Sequence, residues 1–472
     1  MRFKLNRALN IAALTAVIVP ALSQVVFAWP TYLHDKGRSG FDSTETIINS
    51  TSAPNLSVKW TYQSTGCAHA PAGSPLTVSS QPVVVDGLGL VFWGSWDGCE
   101  HASTLNGSQL WATYLGQTTG ASSCNPNPVG VSSTGTYSST IVHGIETSAY
   151  FVGGGDANFY ALNAKTGAIL WKTLLGSSPS HFIWSSPAIY NGSVYVGVAS
   201  FGDCPLVRGR LFQMNASSGA IQNIFNVVPS GCTGGGVSSS PTIDVAAGTI
   251  YFATGNAGSC SHSELYAPAV VELSASNLGL VGHWQVPTAQ QGDDPDFLTT
   301  PTLFRATING SVRKLLGLAD KNGIYYAFVR GKVGKGPLWE VAIANGGGCP
   351  QCGEGSISPS AWDGSTLYVA GGNTTINGKL CQGSVQALNP ANGSALWQNC
   401  LTSGPVLGAV TAVPGLAVVG AGPDLVAIAT ASGDTLFSYT ASGGAIFYGG
   451  TSISNGVLYV GDTNGNLYAF AP

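Results

Sequence analysis

One unit recurs along almost the whole chain, and a chain built from such units has few ways to fold. A small polar run leads into a short strand, a tight turn, an aromatic strand ending in Gly, a third strand, and a Gly turn into a strand carrying Trp. SSPAIYNGSVYVG, residues 185–197, contains the first half. Its Asn191-Gly192 pair supplies the positive φ angles of a two-residue hairpin turn. SPSAWDGSTLYVAGG (358–372) and SISNGVLYVGD (452–462) repeat the design. The second half is FYALNAKTGAILW (159–171), with VQALNPANGSALW (385–397) as its near copy. There a Gly turn joins strands that alternate apolar and polar residues.

Outer-strand aromatics fall at Trp60, Trp111, Trp171, Phe225, Trp284, Trp339, Trp397 and Phe437. A four-stranded sheet cannot bury both faces alone, whereas ring closure covers the faces and lets wide aromatics fill the gaps between neighbours. Eight such strands predict an all-β, eight-bladed β-propeller; a seven-bladed ring or an open sandwich is the alternative. The last repeat stops at Leu467-Tyr468-Ala469-Phe470 and lacks its outer strand. The segment from Leu56 to Tyr62 is the missing piece, so the N-terminal strand is expected to close the ring on the C-terminal blade. Composition agrees: 64 Gly and only 8% charged residues suit short strands and tight turns, not helices.

At the N-terminus, Arg2, Lys4 and Arg7 flank an apolar run from Ala8 to Phe27 that exits through Ala28. This pattern predicts a signal peptide over 1–28, a strap over 29–55 and a propeller over 56–472, in a secreted protein of the periplasm or extracellular space. Without the three basic residues, 15 Lys+Arg face 22 Asp+Glu, a net −7, which argues against nucleic acid or an anionic membrane surface as partner. No further segment is long and apolar enough to cross a bilayer. Ten cysteines, an even number in an oxidising compartment, predict disulfides. Cys381 and Cys400 flank one hairpin, and Cys349 and Cys352 could close a short loop, with zinc as the alternative for the latter pair.

The Ala-Leu-Asn-x-x-Thr/Asn-Gly-x-x-x-Trp signature of 161–171 and 387–397 resembles the repeats of quinoprotein dehydrogenases, nearest the polyvinyl-alcohol-dehydrogenase branch. Their propellers bind pyrroloquinoline quinone (PQQ), although cofactor-free scaffold propellers of the outer-membrane assembly type share the repeat. Three stretches carry what the resemblance implies for chemistry. GDDPDFLTTPTLF (292–304) is similar to the loop whose aspartate removes the alcohol proton, which implies Asp296 as base. YFATGNAG (251–258) matches the stretch whose Asn binds calcium through its side-chain oxygen, which implies Asn256 as a metal ligand. LLGLADKNGIYYAF (315–328) implies Lys321, with Asn322 beside it, at the quinone, where an ammonium would stabilise the charge of the reduced ring.

The chain also departs from that family. It has no adjacent Cys-Cys pair, Ser238 stands where an aromatic platform is expected, and Cys204 takes the place of a calcium-binding Glu, with Asp203 next to it as the substitute ligand. Leu298 occupies the position of the extra Asp of lanthanide-dependent relatives. No Cys-x-x-Cys-His, His-Glu-x-x-His, Gly-x-Ser-x-Gly or Gly-x-x-x-x-Gly-Lys occurs, which sets aside haem attachment, zinc protease, serine hydrolase and nucleotide chemistry. The resemblance implies a secreted dehydrogenase oxidising a small or polymeric alcohol or polyol with PQQ and calcium, and passing electrons to a separate acceptor protein. The departures imply instead a cofactor-free extracellular propeller acting as a binding or scaffold module.

Overall fold

Turns as short as Asn191-Gly192 can join only antiparallel neighbours, and each repeat accordingly forms an antiparallel four-stranded sheet, to which the third adds a fifth short strand, His181–Phe182. The computed structural model describes residues 29–260, 263–292 and 294–472; the proposed signal peptide lies outside them. Seven blades span 83–114, 136–174, 188–226, 242–285, 302–342, 361–401 and 411–440. The eighth joins 452–471 to the N-terminal strand Ser57–Gln63, which pairs antiparallel with Asn466–Ala471 and closes the ring. Among the described residues the only helices are short 3-10 turns, and none is long and apolar enough to cross a membrane.

Burial explains the order of residue types within a blade. Second strands such as Ser193–Ser200 and Leu416–Ala421 are buried along their whole length, so they read as continuous small and β-branched runs. Outermost strands such as Ile221–Asn226 alternate between exposed and half-buried positions. Their aromatics lie across the seam to the next blade. Trp60, Trp111, Trp171, Trp339 and Trp397 each donate Nε1–H to a carbonyl in the next blade's outer turn, at Leu105, Ala164, Ala216, Pro390 and Thr430. The turn must come close to receive the ring. Gly167 has φ +70°, and a Cβ there would stand 2.6 Å from the Trp111 indole, so position and conformation both demand glycine.

The small polar runs serve the axis. Thr136, Thr242, Thr302, Thr411 and Ser452 each donate a hydroxyl hydrogen to the carbonyl of Pro187, Pro301, Ser360, Thr451 and Pro82 in the next blade. Residues 29–42 run across this inner ring. Backbone bonds tie Trp29 to Val84, Pro30 to Tyr137, Lys36 to Ile243, Gly37 to Leu303, Ser39 to Trp362, and Gly40 and Asp42 to Ala412. Arg38, fully buried, donates to the carbonyls of Tyr32, Pro187 and Pro241 and to Thr31 Oγ1. Burial pushes its guanidinium down to about 10.

All ten cysteines pair: Cys67–Cys99, Cys124–Cys204, Cys232–Cys260, Cys349–Cys352 and Cys381–Cys400. Two of these pairs are the ones suggested by loop length in the sequence. Cys349–Cys352 is a disulfide, which removes its thiolates as zinc ligands.

Candidate functional site

Lys321 occupies the turn between strands Ser311–Ala319 and Ile324–Val329 of blade 5. Gly323 closes that turn at φ +80°, and a Cβ there would stand 2.1 Å from the Ala344 carbonyl oxygen. The lysine is thereby aimed at the loop preceding strand Thr302–Ile308. Its Nζ donates to Asp296 Oδ2 at 2.8 Å and to Asp294 Oδ2. From blade 4, the Asn256 backbone N–H donates to Asp296 Oδ1 at 2.8 Å. Gly255 makes this approach possible, since a Cβ there would lie 2.3 Å from that oxygen.

Asn256 extends the cluster. Its Nδ2 donates to Asp294 Oδ1 at 2.9 Å and to Asp203 Oδ2 at 3.2 Å. With the amide hydrogens so engaged, its Oδ1 is buried and receives no hydrogen bond. Asp203 reaches the cluster from the loop after strand Ser193–Ser200, where it takes the left-handed conformation at φ 56° and the Cys124–Cys204 disulfide anchors its neighbour. The carboxylates of Asp203, Asp294 and Asp296 each offer an oxygen within 4.8 Å of the others.

Three carboxylates around one ammonium set the local electrostatics. Burial pushes Asp296 up to about 7 against the pull of Lys321, with Asp294 and Asp203 adding repulsion. Burial also acts upward on Asp294, but its bonds to Lys321 and Asn256 outweigh that effect and hold it below the ordinary carboxylate value. Asp203 is raised by burial and by Asp294. Burial opposes the charge on Lys321, yet the two carboxylates keep it above the usual ammonium value. The site therefore carries a net negative charge that a cation would neutralise.

A cavity of about 400 Å³ opens beside these groups, within the usual range for a small-molecule site. Asp203, Asp294, Asp296 and Lys321 line it, with Tyr32 of the N-terminal segment and Trp184 of blade 3. A larger space of about 790 Å³ lies between residues 30–38 and the first strands of blades 2 to 5. None of the carboxylate, imidazole and thiol clusters among the described residues lines it.

Of the five residues singled out in the sequence, Asp203, Asn256, Asp296 and Lys321 converge. Asn322 does not join them. Its Oδ1 accepts the Ile324 N–H, and its Nδ2 donates to Tyr326 Oη and the Gln290 carbonyl, so its side chain stabilises the turn. Asp294 was missed, although its place two residues before Asp296 is a signal. Trp184, which lines the cavity, carries no motif in the sequence.

The family model described as outer membrane protein assembly factor BamB, the PQQ_2 repeat, matches residues 101–267 and 381–472. A polyvinylalcohol dehydrogenase from Pseudomonas sp is 24% identical over 361 residues, covering 64% of this chain and 55% of that protein. The quinohemoprotein alcohol dehydrogenase ADH IIB of Pseudomonas putida is 27% identical over 218 residues, 38% of this chain and 31% of that one. The chain thus spans about half the length of the first relative and about a third of the second. The crystal structure of quinohemoprotein alcohol dehydrogenase from Comamonas testosteroni superposes with a TM-score of 0.71 at 18% identity, covering 96% of this chain and 81% of that one. The repeat match extends over more than half of the sequence, and the chain belongs to the PQQ_2 repeat family.

Proposed function

We propose that this PQQ_2-family propeller is a secreted quinoprotein-type dehydrogenase that oxidises an alcohol or polyol with PQQ and calcium. The observation that carries this reading is the convergence of Asp203, Asn256, Asp294, Asp296 and Lys321 at one cavity. Their donor set fits a hard cation: Asn256 Oδ1 is a buried acceptor without a partner, and the carboxylate oxygens beside it are of the type calcium prefers. Asn256 and Asp203 would hold the ion, and Lys321 would face the quinone.

When bound, PQQ supplies a two-electron acceptor, with the ion as Lewis acid at its carbonyl. The protein's part is proton transfer and charge. Asp296 takes the hydroxyl proton at Oδ2, beside the Lys321 ammonium, and its value near 7 leaves it able to accept a proton at neutral pH. Lys321 stabilises negative charge at the cavity wall, where burial keeps water from screening it. A separate acceptor protein would receive the electrons.

The test is reconstitution. Purified protein given PQQ and calcium should shift the quinone absorption and reduce a dye when an alcohol is added. Silence in both measurements supports the second reading, a cofactor-free binding or scaffold module, which Ser238 and the lack of an adjacent cysteine pair favour.

A further inference from the structure

A flat tricyclic ligand in this cavity needs a stacking surface, and Ser238 offers none. The repeat shows where the surface has gone. Around the axis, Thr134 N–H donates to Ser186 Oγ, Ser186 N–H to Ser240 Oγ, and Ser240 N–H to Thr300 Oγ1, so these residues are equivalents in consecutive blades. Two residues before each lie Ser132, Trp184, Ser238 and Leu298, and all four line the cavity. Ile183-Trp184-Ser185-Ser186-Pro187 and Val237-Ser238-Ser239-Ser240-Pro241 are the same segment one blade apart.

We propose that Trp184 is the stacking platform of the cavity, displaced by one blade from position 238, and that its exposed face receives the planar quinone. The inference rests on the redox reading above. Trp184 is held as a platform must be. Its Nε1 donates to the Ser200 carbonyl at 3.1 Å, Phe201 lies nearly parallel to it at 6.3 Å and 6°, and Phe182 packs at 4.4 Å. Phe182 and Phe201 are fully buried, with Cys124 and Val129 in the same cluster. One side of the indole is thus fixed by packing while the residue lines the cavity. The backing loop also carries Asp203, so the platform and the cation ligand share one support, tied down by Cys124–Cys204.

Two other aromatics line the cavity: Tyr32, whose ring already faces the Arg38 guanidinium at 5.9 Å, and Tyr448, seated at the entry to the first strand of blade 8. The Tyr448 hydroxyl accepts from Gln351 Nε2 at 3.3 Å and its ring packs edge-to-face with Trp96 at 6.4 Å, so both its ends are already engaged.

The test measures binding without turnover, by equilibrium dialysis of PQQ in excess calcium. Trp184→Ala should weaken PQQ roughly 10- to 100-fold, the range of an aromatic stacking contact. Trp184→Phe should recover most of that loss, and calcium binding measured by calorimetry without quinone should be unchanged in both, which separates the platform from general damage to the fold. Trp184→Ala binding PQQ as tightly as wild type would overturn the assignment while leaving the redox reading intact. So would a loss confined to Tyr448→Ala, which would place the platform in blade 8. If wild type itself binds no PQQ, the redox reading fails and the platform with it.

Discussion

Two turns of nearly the same sequence do different work. Asp320-Lys321-Asn322-Gly323 in blade 5 and Asp462-Thr463-Asn464-Gly465 in blade 8 join corresponding strands, and both lead into Tyr-Ala-Phe. In blade 8 the carboxylate is fully occupied. Asp462 Oδ1 accepts the N–H groups of Asn464 and Asn466, and Oδ2 accepts Asn466 Nδ2 and the Tyr468 hydroxyl. In blade 5 the residue matching Asn466 is Ile324, whose side chain has no amide and whose backbone N–H goes to Asn322 Oδ1, and the Tyr326 hydroxyl bonds Asn322 and Gln290 instead.

Asp320 is consequently left 1% exposed with no hydrogen bond on either oxygen. The N–H groups of Lys321 and Asn322 influence it without reaching hydrogen-bond geometry, and burial pushes it up to about 8. The second turn position differs in the same sense. Thr463 accepts the Ile446 N–H at 3.0 Å and locks its own blade to the preceding one, whereas Lys321 reaches across the same seam to two carboxylates. The blade 8 turn satisfies its polar groups locally. The blade 5 turn leaves Asp320 without a hydrogen bond and sends Lys321 to the cavity wall, as is common where function overrides local consistency.

The comparison breaks first at Lys321. Lys321→Ala should lower dye-linked turnover of the PQQ-loaded protein by about 10²–10³-fold, the usual effect of losing one preorganised electrostatic donor. Thr463→Ala should leave turnover unchanged and cost about 1 kcal/mol in urea melts. Equal effects would mean that the two turns are interchangeable.

The two aspartates should respond with opposite signs. Asp462→Ala strands two N–H groups, an amide and a hydroxyl, and should destabilise by about 2–4 kcal/mol. Asp320 binds its proton up to about pH 8 in the native state, against roughly 3.9 in an unfolded chain. The folded state therefore holds the extra proton, and stability is lost as pH rises from about 4 to about 8. Asp320→Asn removes that dependence. It should match wild type near pH 4 and exceed it by a few kcal/mol at pH 8, on urea melts at both values. A destabilised Asp320→Asn at pH 8 would show that its charge is used.

The smallest difference is expected at the glycines. Gly323→Ala and Gly465→Ala both place a side chain at positive φ, with a Cβ 2.1 Å from the Ala344 oxygen and 2.5 Å from Leu76 Cβ respectively. Each should cost about 1–3 kcal/mol in thermal melts. A large disparity would mean that the backbones, and not only the side chains, have diverged.

How much of this is legible in the sequence follows the same division. The outer aromatics from Trp60 to Phe437 all fall in outermost strands, because a wide ring at a blade seam has a periodic signature. The path of 29–42 across the inner ring has none, since backbone groups make its bonds and any residue can supply them. Asp296 and Lys321 are readable as motif residues, but their meeting depends on Gly255 and Gly323 permitting close approach. The Asp294 bridge between Lys321 and Asn256 is set by the path of one loop, which residue types alone do not fix. Trp184 stands two residues before the Ser-Pro of its segment, as Ser238 does one blade on, a correspondence the repeat itself carries.

Asp296 is the carboxylate that both blade 4 and blade 5 hold at the cavity. Dye reduction by wild type and Asp296→Asn, each loaded with PQQ and calcium and given the same alcohol, tests it most directly. The variant should retain the quinone absorption but lose about 10²–10⁴-fold in rate. A variant as active as wild type would contradict the assignment of Asp296 as base.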